Sequence, residues 1–204
     1  MPKLLIVGIV VLVSLGLWWS FSADEVDDGP ELNDQGFPVD QEYTNDTYGF
    51  SLTYPGDLDR ETSTDEHIAF GYANGSGFES QVVVRVVERP ADEVTSEAAF
   101  VAEQVQLLCD ADGPEGSISC PDIDLETSFT TDAGVRGTVF MLEQVTMADG
   151  EVESETIRGP FHALILPSDE SVVRALLVHP PLAANDAVVE PLVDQIARSI
   201  NISE

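Results

Sequence analysis

Eighteen uncharged, mostly apolar residues run from Leu4 to Phe21, and nothing later in the chain has that pattern. As a helix rising 1.5 Å per residue the run covers about 27 Å, close to a bilayer's hydrocarbon thickness. Trp18 and Trp19 stand where such a helix would leave the bilayer, and Lys3 favours a cytoplasmic start. Residues 1–22 therefore read as a transmembrane signal anchor. The alternative is a signal peptide cut before Ala23, at the small residues Ser20 and Ser22, with secretion of the remainder. Residues 23–42 hold Gly29, Pro30, Gly36 and Pro38 among acids, without an apolar period, and predict a flexible acidic stalk.

From residue 43 to 204 the pattern becomes that of one folded domain. Phe50, Leu52 and Tyr54 alternate with polar residues, predicting a strand that Pro55-Gly56 stops. A second strand is expected over His67 to Ala73. The turn signal Asn74-Gly75-Ser76-Gly77 leads into Gln81 to Arg89, apolar on both faces and so a central strand. Ala98, Val101, Ala102, Val105 and Leu108 then recur at helical spacing, with Thr95 or Ser96 as N-cap.

Strands follow at Leu125 to Thr131, Val135 to Met147 and Val152 to Leu166, the last two joined through Asp149-Gly150, a two-residue hairpin signal. That turn would set Leu142 opposite Ile157 and Met141 opposite Arg158. After Ser168-Asp169-Glu170 comes a strand over Val172 to His179. Leu192, Val193, Ile196 and Ile200 form the apolar stripe of a closing helix, with Pro191 at its first position, since a start at Asn185 or Asp186 would leave Pro191 inside to break it. The order predicts α+β: a single antiparallel sheet covered by helices, preceded by one N-terminal transmembrane helix.

Tyr48-Gly49-Phe50-Ser51-Leu52-Thr53-Tyr54-Pro55 resembles the opening strand of PsbP-like domains, and the order of elements from Tyr43 to Ile202 is similar to that family's. The resemblance implies a non-catalytic accessory domain on the outer side of a membrane. Photosynthetic members dock through basic surface, whereas this chain has no lysine after Lys3. That departure speaks against a photosystem role.

Charge narrows the partners further. All 38 acidic residues lie beyond Ala23 together with seven arginines, a formal charge of −31. Such a surface repels nucleic acid and anionic headgroups. It also suits a protein kept soluble in concentrated salt, where counterions screen self-repulsion. An acidic extracellular surface without a salt requirement would have the same composition.

Cys109 and Cys120 are the two cysteines, and in an extracytoplasmic compartment such a pair predicts a disulfide closing a short Gly- and Pro-containing loop. Catalytic chemistry finds little support. G-x-S-x-G is missing, S-x-x-K is impossible beyond Lys3, and the imidazoles are His67, His162 and His179. The expected register sets His162 near Leu176 and His179 near Gly159, about 10 Å apart along the sheet.

Asp110-Ala111-Asp112-Gly113 opens like a calcium loop, but Pro114 and Pro121 occupy ligand positions. Asp122, Asp124 and Glu126 could join Asp110 and Asp112 around calcium if the loop folds back. Glu151, Glu153 and Glu155 are expected on one face of a hairpin as a solvated stripe. Asn45, Asn74 and Asn201 stand in N-x-[ST] sequons for glycosylation on the outer side of a membrane, or serve as turn and cap residues. The functional expectation is a membrane-anchored, non-catalytic accessory domain that binds an unidentified envelope protein, without cofactor. A calcium-binding module is the alternative.

Overall fold

A computed structural model describes residues 38–75, 77–110, 118–148, 151–181 and 186–203. The apolar span of residues 4–21 and most of the stalk lie outside the described residues. Among those described, no helix is long and apolar enough to cross a membrane.

Strand dominates the described chain. In order come β1 (Gln41–Asn45), β2 (Phe50–Tyr54), β3 (Asp59–Thr64), β4 (His67–Asn74), β5 (Gly77–Pro90), α1 (Glu97–Asp110), β6 (Ile118–Thr130), β7 (Arg136–Ala148), β8 (Glu151–Leu166), β9 (Val172–His179), α2 (Asp186–Ser199) and β10 (Asn201–Ile202). These strands make two antiparallel sheets. Seven strands line up as β3-β4-β5-β9-β8-β7-β6, and three as β1-β2-β10.

The expected single sheet covered by helices is thus corrected to two sheets with two α-helices among the described residues. Its first predicted strand, β2, takes no part in the large sheet. It pairs with β1 on one side and β10 on the other, joining the two ends of the described chain. β1 starts at Gln41, two residues before the expected start of the folded domain, and Gln41 accepts a hydrogen bond from the Tyr54 hydroxyl at 2.8 Å. β3 escaped prediction because Asp59–Thr64 is polar and exposed throughout, as an edge strand can be.

Two apolar clusters lie on opposite faces of the large sheet. On one face Val193, Ile196 and Ala197 of α2, Ile200 just after it, and Phe50, Leu52 and Tyr54 of β2 pack on Ile68, Phe70, Val84, Leu164 and Leu176. On the other, Phe100, Val101, Val105 and Leu108 of α1 cover Phe140, Leu142, Phe161, Ala163 and Leu177. β5 contributes to both, as its two-sided apolar pattern requires. Val82, Val84 and Val86 face α2 and the small sheet, while Val87 packs on the α1 side.

Local signals explain the helix ends. Ala99 N–H donates to Ser96 Oγ at 3.1 Å, so Ser96, not Thr95, caps α1. We expect Ser96→Ala to lower stability by about 1 kcal/mol, read as a lower urea midpoint at unchanged slope. α2 begins at Asp186 and carries Pro191 inside, which corrects the expected start at Pro191. The ring sits on the exposed side, and the loss is confined to one hydrogen bond near the start of the helix.

The β7–β8 hairpin pairs Ala148 with Glu151, as the two-residue turn demands, but a bulge then inserts Glu153 between Val152 and Ser154. Beyond it the register is displaced by one: Leu142 faces Arg158 and Glu143 faces Ile157. The expected pairs Leu142–Ile157 and Met141–Arg158 do not form. By the same slip Glu151 and Glu155 fall on opposite faces, so the acidic stripe is broken.

Candidate functional site

Each histidine has its own surroundings. His162 lies opposite Val178 on β9, one residue from His179, so the expected three-residue separation along the sheet is corrected. The pleat nevertheless separates the rings, because neighbouring strand positions face opposite ways. His162 is 1% exposed, set edge-on to Phe129 at 4.8 Å on the α2 side, with Nε2 3.8 Å from Asp194 Oδ1. Burial pushes its pKa down to about 4, against a smaller upward pull from Asp194. His179 stacks on Phe161 at 5.7 Å on the α1 side, and its Nδ1–H donates to the Pro180 carbonyl at 2.7 Å. Burial lowers it to about 4 as well. Both rings are neutral at pH 7.

The candidate calcium ligands are spread out. Asp122, Asp124 and Glu126 lie exposed along β6, while the side chain of Asp110 and the whole of Asp112 fall outside the described residues. Among the described residues no three metal-ligating side chains come together. Cys120 is buried on the α1 side beside Leu108 and Leu142, and no described cysteine is free. The side chain of Cys109 is outside the described residues.

The three asparagines also diverge. Asn45 is 3% exposed, and its amide nitrogen donates to the Asp65 carbonyl at 2.7 Å and to Tyr43 Oη at 3.1 Å. Its oxygen accepts from Tyr48 N–H at 3.0 Å, so Asn45 builds the β1–β2 turn and offers no accessible acceptor for a glycan. Asn74, at the β4–β5 turn, and Asn201, on β10, are exposed.

A groove lies at the N-terminal end of α1. One cavity of about 580 Å³ opens between α1, the β8–β9 loop and β10, over Ile165, Val173, Val135 and Ile202. A second of about 320 Å³ continues under Ala98 and Val101 onto Phe140 and Ala163, and the two share Glu97 and Ile165. The floor is apolar. Its charged lining is Glu97, Glu126, Asp169 and Glu170 against Arg136.

The rim at the β8–β9 loop is held in shape. Ser171 donates to Asp169 Oδ1 through its hydroxyl and through its N–H, the latter at 2.9 Å, which keeps the Asp169 carboxyl below its ordinary pKa. Ser168 Oγ–H donates to the Val172 carbonyl at 2.6 Å, and Ala91 N–H to the Ser171 carbonyl at 2.8 Å. None of the three histidines lines this groove. Sequence reading missed it, because its walls come from α1, four strands of the large sheet and β10, and no motif joins them.

No protein-family model matches the chain, and neither does any curated protein. Its structure is similar to the solution structure of cyanobacterial PsbP (CyanoP) from Synechocystis sp., at 14% identity, 84% coverage of this chain, 97% of that one and a TM-score of 0.44. The family that the opening strand resembles is also that of this structural neighbour.

Proposed function

We propose that the chain is a non-catalytic accessory domain, tethered outside a membrane by residues 4–21, which docks an envelope protein in the groove at the start of α1. The observation carrying this reading is an apolar floor ringed by four carboxylates and one guanidinium. Such a groove favours a segment that alternates apolar and basic side chains, because charge complementarity on the rim selects the partner while the floor supplies affinity. The same acidity disfavours nucleic acid.

Capture of the full chain from its own membrane in mild detergent tests the docking. We expect a partner that wild type retains and that Glu97→Arg combined with Glu170→Arg loses at least tenfold. Empty capture by wild type would sink the reading. The tether is tested separately, by carbonate-resistant fractionation and N-terminal mass. A mature protein beginning at Ala23 would show cleavage instead.

The proposal includes a disulfide between Cys109 and Cys120, supported by the burial of Cys120 against α1, the helix that carries Cys109. Such a link would tie the end of α1 to the large sheet opposite the groove's end of the helix.

A further inference from the structure

The large sheet has two edges, and they differ. β3 ends one side with six residues, all polar, and β6 ends the other with thirteen. Among the described residues no strand pairs with the outer side of β6. An unpaired edge of that length accepts another strand unless proline, bulges or a covering element block it. The first half of β6 is blocked in this way. Pro121 lies in the register shift between Ser119 and Asp122, and Asp124 is the extra residue of a second shift between Ile123 and Leu125. Residues 125–130 have no such guard, and pair one to one with β7 from Leu125 opposite Met141 to Thr130 opposite Arg136.

The turn after β6 sets the hydrogen-bond phase of that stretch. Thr131 N–H donates to the Val135 carbonyl at 2.9 Å, so residue 131 bonds inward, and in an antiparallel ladder every second residue before it does the same. Leu125, Thr127 and Phe129 thus direct their backbone groups to β7. Glu126, Ser128 and Thr130 turn theirs outward, and all three are exposed. Glu126 lies opposite Phe140 and so shares the α1 face of the sheet. With Ser128 it walls the cavity under Ala98 and Val101, so the groove runs out onto an open strand edge. The opposite face of that edge presents Leu125, 48% exposed.

We infer that the groove's partner binds as an added antiparallel strand along residues 125–130 of β6. The inference rests on the reading of the groove as a docking site, and gives the bound segment a conformation and an order of side chains. Its residues bonded to β6 stand opposite Glu126, Ser128 and Thr130 on the α1 face, and those between them lie beside Leu125 and Thr127. A basic side chain is favoured opposite Glu126, with Glu97 lining the same cavity. It is disfavoured opposite Thr130, whose partner on β7 is Arg136. A neutral residue suits that place, and an apolar one suits the place beside Leu125. The segment is therefore oriented with its basic end toward Glu126. A second copy of this chain is a poor occupant, because each copy brings a formal charge of −30.

The probe is a synthetic peptide, Thr-Val-Thr-Val-Lys-Val-Lys-amide with an N-terminal dye, titrated with the full chain in non-ionic detergent and followed by anisotropy. We expect saturable binding by wild type. Two backbone-methylated versions separate strand addition from charge attraction. N-methyl groups on the threonines and lysines, whose N–H groups face β6, are expected to weaken binding at least tenfold, whereas N-methyl groups on the valines leave it nearly unchanged. Ser128→Pro removes an outward N–H and no bond to β7, so it is expected to keep the wild-type Tm and weaken binding at least tenfold. If that variant does not fold, the methylated pair carries the test on wild type. An equal effect of the two methylation patterns, undiminished binding by folded Ser128→Pro, or no binding of the unmodified peptide overturns the added strand. Binding that Glu97→Arg with Glu170→Arg abolishes, but that Ser128→Pro and both methylation patterns leave intact, overturns it while the docking groove stands. Self-association of wild type that Ser128→Pro abolishes, with no peptide bound, overturns it in favour of a second copy.

Discussion

Acidification from pH 7 to pH 5 is expected to destabilise the domain by about 3 to 4 kcal/mol, through His162 and His179 alone. In the folded protein both rings take a proton only near pH 4, because burial disfavours their charged form. In the unfolded chain they do so at the ordinary value, near 6.5. Between those values the unfolded state binds more protons, so stability falls as pH falls below 6.5 and stops falling on this account below 4. Each ring contributes about 2 kcal/mol at pH 5 and about 3 at pH 4, against a total domain stability of about 5 to 15 kcal/mol.

Self-repulsion works with the opposite sign, since protonating carboxylates relieves the formal charge of −30. That relief begins nearer their ordinary pKa values, around 4, so the interval from 6.5 to 5 belongs to the histidines. Denaturant unfolding at fixed molar salt across this interval should show the slope, and His162→Leu with His179→Leu should flatten it. An unchanged slope in the double variant would dismiss the two rings as the cause. Asp194 near His162 softens the effect only partly, because its carboxylate is also engaged by Arg198 at 2.7 Å.

Reduction of the proposed Cys109–Cys120 disulfide should cost about 3 kcal/mol, the loop-entropy value for a closure of this length. In a domain of this size that corresponds to a fall in Tm of roughly 6 to 12 °C. The loss should appear equally with reductant and in Cys120→Ser, and reductant should then have no further effect on the variant. Cys120 is 3% exposed, so the serine hydroxyl adds a desolvation penalty of its own. Cys120→Ala separates the two contributions. Peptide mapping of protein isolated from its membrane without reductant must find the linked peptides. Two free thiols there would refute both the bond and the oxidising compartment that it implies.

The groove and the surroundings of Arg85 stand in different relations to the sequence. Arg85 could be noticed as a charge interrupting the valine run of β5, but nothing local says that it lacks a carboxylate partner among the described residues. That fact depends on which strands, β4 and β9, come to flank it. The groove is further from view. Ile165 and Val173 read as ordinary strand positions, and they become its floor only because α1 begins above them.

Several elements were open to direct reading because their cause is local. Alternation marked β2 and β5, helical spacing and Ser96 marked α1, and Asp149-Gly150 marked the β7–β8 hairpin. The same locality explains the failures. β3 carries no apolar alternation, β10 is two residues long, and a bulge at Glu153 shifts every pair beyond it without leaving a mark in the hydrophobic pattern. The reading of His162 and His179 shows the consequence. The expected three-residue separation failed, since the β8–β9 register brings them to neighbouring positions, where the pleat sets the rings on opposite faces.

By itself the sequence determined the charge and the periods of its strongest strands and helices, all properties of a residue and its near neighbours. Tertiary structure alone decided that β2 leaves the large sheet to join β1 and β10, which buried groups remain without partners, and where the surface turns concave. Those depend on which distant segments meet and in what register. Side-chain periodicity names a face, and only packing names what lies against it.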